Sequence, residues 1–521
     1  MNFTSTIFVL FVAIVAFVYY VVPRRMQCLV LLAASYIFYA YASLKAFAYL
    51  VPATIEVFLC ALWMQRIANK YADRLSGVTD KSERKRIRSA CNAEKKRVLV
   101  FSLVVTIGIL CVLKYTNFIR LNFAIAASAL GYPVHFSAVN FFIPLGLSFY
   151  TFSAAGYLFD IYNGKYIAEK SLARFALFMS YFPSIVQGPI NRNDVLRAEL
   201  FEKEHEFSLR DSQFAVQRIL CGFLKKLVIA DRAELVVSSV FDGYQNLPWF
   251  SVLFGLFMYS IELYADFAGG MDIALGISEL FGVKLPENFR QPYFATSVGD
   301  FWRRWHITLG GWMKDYVFYP FCLSKLMTAL SKKLAKKSRH LSKVVPACIG
   351  NILIFLLVGI WHGAEWHYIF WGLYQGGIIA FSVLMEPVYC KMTAFLHINT
   401  KSGAWKAFRI LRTFFIILVG YILDEISDLT DVRGMALQLF DFSNFALVSN
   451  FHPDMLSVAI VLAFSAVWFV ASLYKERTEC SVRQKVASFP LVVRWAIYIA
   501  LILSVPYFEA KYSAGFMYAN F

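Results

Sequence analysis

The run Pro346-Ala347-Cys348-Ile349-Gly350-Asn351-Ile352-Leu353-Ile354-Phe355-Leu356-Leu357-Val358-Gly359-Ile360 carries no charge and closes on Trp361-His362-Gly363. At about 1.5 Å per residue His362 lies roughly 24 Å along a helix axis from Pro346, inside a hydrocarbon layer about 30 Å thick. An ionisable ring at that depth is costly to place and marks a functional site by default.

Upstream stands Asp300-Phe301-Trp302-Arg303-Arg304-Trp305-His306-Ile307-Thr308-Leu309. Projected at about 100° per residue, Trp302, Trp305, His306, Leu309, Trp312, Met313 and Tyr316 share one face, and Arg303, Arg304, Thr308, Lys314 and Asp315 the other. The pattern predicts a helix with His306 on its apolar side. A kink is expected at Gly310-Gly311, since each glycine costs roughly 1 kcal/mol in a helix interior.

Over the whole chain of 521 residues, 59% are hydrophobic and 16% charged, which excludes a soluble globular protein and predicts an all-α, polytopic membrane protein. The formal charge of +17 does not mark a nucleic-acid binder. Its basic residues gather between apolar segments, in Gln65 to Arg97 and Lys325 to Lys343, as the positive-inside rule requires of cytoplasmic loops. The partner this implies is membrane lipid. The nine cysteines form no CxxC pair, so neither a disulfide framework nor a zinc site is indicated.

Residues 5–22 read as a first span with the N-terminus outside, because no basic residue precedes them and no small-residue cleavage site follows. Further apolar stretches lie near 27–42, 46–64, 98–113, 138–160, 171–187, 213–230, 249–280, 347–361, 367–386, 407–424, 456–473 and 490–507. We expect about eleven to fourteen transmembrane or re-entrant helices. No hydrophilic stretch is long enough for a separate domain, so 1–521 is expected to be one transmembrane domain. Polar insertions interrupt the spans at Asp266, Asp272 and Pro286-Glu287-Asn288-Phe289-Arg290. Such groups are tolerated at membrane depth when buried in protein or lining a wet cavity, so they are expected to line the same interior as the histidines.

Pro286-Glu287-Asn288-Phe289, Asp300 to Leu309 and Trp361-His362-Gly363-Ala364 together resemble the bacterial branch of the membrane-bound O-acyltransferases, which holds alginate and peptidoglycan O-acetylation subunits and the teichoic-acid D-alanyl transferase. The likeness extends to Pro144-Leu145-Gly146-Leu147-Ser148-Phe149-Tyr150-Thr151-Phe152, Gly188-Pro189-Ile190 and Phe223-Leu224-Lys225-Lys226-Leu227-Val228-Ile229-Ala230-Asp231. Gly270-Met271 departs from the Tyr-Ser pair usual in alginate-type members, and Gly310-Gly311 from a more polar pair.

This resemblance implies an acyltransferase core over about 98–390, with peripheral spans at 1–97 and 391–521, built around a central tunnel in a bacterial plasma membrane. It implies an enzyme moving an acyl group, acetyl first, from a cytoplasmic thioester to a hydroxyl of a cell-surface polysaccharide or of an exported or membrane-anchored partner. The donor would be acetyl-CoA or an acyl-phosphopantetheine carrier protein, with no tightly bound cofactor. D-alanyl transfer to teichoic acid is the alternative within the family, and a proton-coupled secondary transporter the alternative outside it. His362 matches the family's catalytic histidine and His306 a second functional one, which could instead orient the donor or shape the tunnel.

An imidazole suits the chemistry, because its neutral form can take a proton from a hydroxyl attacking a thioester. Trp302, Trp305, Trp361, Asn288 and Arg290 are further tunnel-lining candidates. Arg303 and Arg304 either contact donor phosphates or anchor to lipid headgroups. Asp266 and Asp272 either orient a histidine and hydrate the cavity or pair with a buried cation such as Arg290. No metal site is expected: His362 and His367 are five apart, about 140° around a helix, whereas HExxH places two histidines on one face. No GxSxG elbow is present to support a covalent serine route.

Overall fold

The computed structural model describes residues 2–511 and 515–517, the side chains of 444–446 apart. Its contacts divide the chain into two units, Met1–Val216 with Ala274–Leu285, and Gln217–Ile273 with Pro286–Ala519. Among the described residues both are helical, save one isolated antiparallel bridge between Phe289 and Trp305.

The first unit contains α1 (Thr6–Val21), α2 (Arg24–Ala42), α3 (Leu44–Ser76), α4 (Lys81–Ala129), α5 (Leu147–Tyr162) and α6 (Leu172–Ser180). Side-chain caps start several of them: Ser5 accepts from the Phe8 N–H, Asp80 from Glu83 and Ser171 from Arg174. With 33 and 49 residues, α3 and α4 are longer than a bilayer requires. Their charged ends, Gln65 to Ser76 and Lys81 to Arg97, therefore continue past the apolar portion as a helical hairpin, with Lys70 4.0 Å from Glu94. The apolar stretch 171–187 is not one helix. Pro183 has no N–H to donate to a preceding turn, and the chain breaks at Tyr181 before the short turn Phe182–Ile185.

The second unit takes up the chain within α7 (Leu209–Phe223), which runs into a π-helical segment, Leu224–Ala230. There follow α8 (Asp231–Phe241), α9 (Trp249–Leu280), α10 (Val298–Arg304), α11 (Ile307–Met313), α12 (Arg339–His362), α13 (Trp366–Leu384), α14 (Gly403–Glu425), α15 (Met455–Thr478) and α16 (Leu491–Phe508). Hairpin α12–α13 is held close by glycine. A Cβ at Gly359 would stand 2.2 Å from the Tyr368 carbonyl oxygen, and one at Gly372 2.3 Å from that of Phe355. α7 and α9 approach in the same way, since a Cβ at Gly222 would meet the Gly269 carbonyl oxygen at 2.7 Å.

Among the described residues seven helices (α2, α3, α4, α9, α12, α15, α16) are long and apolar enough to cross a membrane singly, or eight if α13 and the Glu386–Phe395 helix, bent by 57°, make one span. The remaining stretches of the expected set are short or interrupted: α1, α5, the broken pair around Tyr181, α7 with its π turn, and the more polar α14.

Candidate active site

Trp305 and His306 lie between two helices, not on one. α10 ends at Arg304, Trp305 is extended (φ −105°, ψ 131°), and His306 is left-handed (φ 46°, ψ 54°) before α11 begins. The expected kink at Gly310-Gly311 is thus displaced to Trp305-His306, and both glycines are helical. The cause is competition for backbone hydrogen bonds. Arg290 N–H donates to the Arg304 carbonyl at 2.9 Å and Ile307 N–H to the Asn288 carbonyl at 3.0 Å, so the Asn288–Arg290 strand pulls residues 304–307 out of helical register. A left-handed non-glycine residue costs of order 1–3 kcal/mol and persists only where its surroundings hold it.

Asn288 supplies that hold. Its Oδ1 accepts from the Thr308 backbone N–H at 2.9 Å and the Thr308 hydroxyl at 2.9 Å, and lies 3.4 Å from His306 Nδ1. It therefore caps α11 from a distant loop. Because Oδ1 can only accept, the His306 contact requires the proton on Nδ1 and makes Nε2 the basic nitrogen. The Asn288 amide donates in turn to Met271 Sδ at 3.3 Å. Met271 is the departure that the sequence comparison singled out, and it belongs to this shell.

An aromatic box encloses both imidazoles. Phe267 meets His306 edge-on at 4.9 Å, and the Trp361 ring lies 6.2 Å from His306 and 5.0 Å from His362. Trp371 and Tyr368 stand 5.0 and 5.8 Å from His362. His306 is 3% exposed and His362 6%, so neither side chain faces lipid. Burial alone pushes the His306 pKa down from 6.5 to about 3, keeping that ring neutral at any working pH. Trp305 packs on Phe289 and Phe301, and Trp302 donates its indole N–H to buried Gln375 Oε1 at 3.2 Å.

The carboxylates expected beside the histidines are otherwise engaged. Asp266 is 2.6 Å from Lys226 Nζ, which also lies 2.8 Å from Asp231. Asp272 receives Lys225 at 2.6 Å and Arg218 at 3.0 Å, and Arg218 reaches on to Glu287 at 2.6 Å. The partners are Lys225, Lys226 and Arg218, buried cations of the kind the second alternative names, whereas Arg290, its example, is exposed and gives the site its backbone. Helical geometry explains the division. Phe267 and Met271, four apart on α9, face His306 and Asn288, while Asp266 and Asp272 turn toward the π segment. A π turn lets adjacent lysines reach two different carboxylates, and such turns recur at functional sites. The sequence signal for this network was available in Lys225-Lys226, a charged pair inside an apolar run.

Arg304 pairs with Glu476 at 2.9 Å and Asp300 at 3.3 Å, whereas Arg303 points outward with its side chain 73% exposed. Among the described residues no group of three or more His, Cys, Asp or Glu is arranged to hold a metal ion.

The family model of MBOAT, the membrane-bound O-acyltransferase family, matches residues 167–422. The probable alginate O-acetylase AlgI of Pseudomonas syringae pv. tomato is 29% identical over 496 residues, covering 94% of this chain and 86% of its own. The peptidoglycan O-acetyltransferase of Helicobacter pylori is 31% identical over 340 residues, 60% of each chain. The teichoic acid D-alanyltransferase of Bacillus subtilis is 31% identical over 237 residues, 44% of this chain and 56% of its own.

Proposed function

The chain belongs to the membrane-bound O-acyltransferase family, and we propose that it moves an acetyl group from a cytoplasmic thioester to a hydroxyl on the outer side of a bacterial plasma membrane. The observation that carries this reading is the enclosure of His306 and His362 in one aromatic box against Trp361. A buried imidazole is suited to take a proton from an alcohol, a weak nucleophile on its own.

In the proposed reaction His362 accepts the hydroxyl proton as the oxygen attacks the thioester carbonyl. The tetrahedral intermediate expels the thiolate, the C–S bond breaks, and the imidazolium returns its proton to sulfur. No net proton is consumed. Neutral His306, with its proton fixed on Nδ1, presents Nε2 as a hydrogen-bond acceptor that orients a donor or acceptor hydroxyl. The donor enters from the cytoplasm, where the basic clusters place the Gln65–Arg97 and Lys325–Lys343 loops, and the N-terminus lies outside. The acceptor is a surface polysaccharide or an exported or membrane-anchored partner.

Acetyl is favoured over D-alanyl because the alginate O-acetylase likeness runs along 94% of the chain and the D-alanyltransferase likeness along 44%. Membership of an enzyme family sets aside secondary transport. The test supplies isolated membranes with labelled acetyl-CoA or with a D-alanyl-charged carrier protein, and follows label into a hydroxyl ester. Loss of acetyl from acetyl-CoA, abolished in His362→Ala at equal expression, is expected. Label moving from the carrier alone would replace acetyl by D-alanyl, and turnover retained in His362→Ala would remove that residue as the base.

A further inference from the structure

His367 opens α13, five residues after His362, and is 3% exposed. Both of its ring nitrogens are engaged. Nδ1 lies 2.9 Å from the Leu423 carbonyl oxygen and Nε2 3.1 Å from Glu365 Oε2. A carbonyl oxygen only accepts, so Nδ1 donates to Leu423 while Nε2 faces the Glu365 carboxylate. Leu423 belongs to the last turn of α14, where carbonyls have no partner within the helix. His367 therefore caps α14 with one nitrogen and ties down the loop after His362 with the other.

The tie reaches His362 through one ring. Tyr368 lies with its centroid 3.9 Å from that of His367 and 5.8 Å from that of His362, nearly parallel to the latter at 29°. Two glycines make room for it. A Cβ at Gly363 would stand 2.3 Å from the Tyr368 ring, and one at Gly359 would strike the Tyr368 carbonyl oxygen. The three rings thus form a contiguous row with His362 at one end and a bidentate anchor at the other.

We propose that His367 is a positioning residue for His362: anchored on Leu423 and Glu365, it holds Tyr368 as the near-parallel wall of the box that sets the plane of the His362 imidazole. The inference deepens the proposed function in taking His362 as the base, but the geometry it asserts can be read without turnover. A base displaced by about 1 Å loses on the order of 100-fold in rate, whereas donor binding elsewhere is untouched.

The full-length protein in detergent is compared as wild type, His367→Ala, His367→Asn and His362→Ala. Asparagine places an amide donor where Nδ1 stands. With acetyl-CoA as probe, kcat of His367→Ala is expected to fall roughly 10- to 100-fold at unchanged KM, with most of the loss recovered in His367→Asn. Carbethoxylation of His362 by diethyl pyrocarbonate, read by mass spectrometry, is expected to quicken in His367→Ala and to return toward wild type in His367→Asn. Unchanged kcat and unchanged His362 modification in His367→Ala would overturn the anchor. So would equal defects in the Ala and Asn variants, which mark a merely structural residue. Turnover retained in His362→Ala would instead overturn the proposed function, and the modification rates would still decide the anchor.

Discussion

Asn288→Ala is the sharpest perturbation of the clamp around His306. Asn288 is 1% exposed, and its Oδ1 serves two Thr308 donors at 2.9 Å and faces His306 Nδ1 at 3.4 Å. Truncation removes the cap on the Thr308 N–H, worth about 1 kcal/mol, and the part-buried hydrogen bond from the Thr308 hydroxyl, worth about 0.5–1.5 kcal/mol. Together these give an expected loss of about 2 kcal/mol. The backbone bonds from Arg290 and Ile307 survive, so the fold persists while the left-handed turn at His306 loosens. Purified variants are heated in detergent with a thiol-reactive dye, which reports the cysteines exposed on unfolding, and acyl transfer is assayed below the transition. Asn288→Asp keeps an acceptor for both Thr308 donors and is expected to retain more stability than alanine. An Asn288→Ala protein with wild-type thermal stability and turnover would refute the clamp.

Lys226→Ala strands Asp266 and Asp231 without their buried cation, and breaking such a network costs about 3–5 kcal/mol; the yield of folded protein after extraction measures it, and normal yield would show the network to be dispensable. Gly359→Ala drives a methyl against the Tyr368 carbonyl oxygen, which forces hairpin α12–α13 apart at about 1–3 kcal/mol or more; wild-type stability and activity would contradict the close approach. His306 also has a pH signature. Unfolded, it protonates below its usual 6.5, but folded only below about 3. The unfolded state therefore holds the extra proton in that window, and stability falls by up to about 1.4 kcal/mol per unit as pH drops from 6.5 toward 3. Unfolding measured between pH 7.5 and 5 is expected to show a shallower slope in His306→Gln, and an identical slope would refute the assignment.

Read alone, the sequence settled what depends on local composition. The apolar runs located the long helices near 27–42, 249–280, 456–473 and 490–507, because a helix must hide its backbone from lipid, but not the charged extensions of α3 and α4 or the breaks in the shorter stretches. The uncharged run before His362 and the polar insertions singled out the candidate stretch for the same reason. The resemblance carried by residues 286–289, 300–309 and 361–364 pointed to the enzyme class. Asn288 was legible as a candidate, but its work was not. Only tertiary structure decided that Trp305 and His306 leave the helix, because the competing hydrogen bonds come from an extended segment about 16 residues upstream that no helical projection contains. Likewise, which carboxylate meets which lysine depends on a π turn in one segment facing α9 in another. His367 was weighed from its spacing to His362 alone, which set it aside as a metal ligand. Its partners, Leu423 and the Tyr368 ring, become visible once α14 packs beside α13, since a hydrogen-bond acceptor 56 residues away leaves no trace in local periodicity.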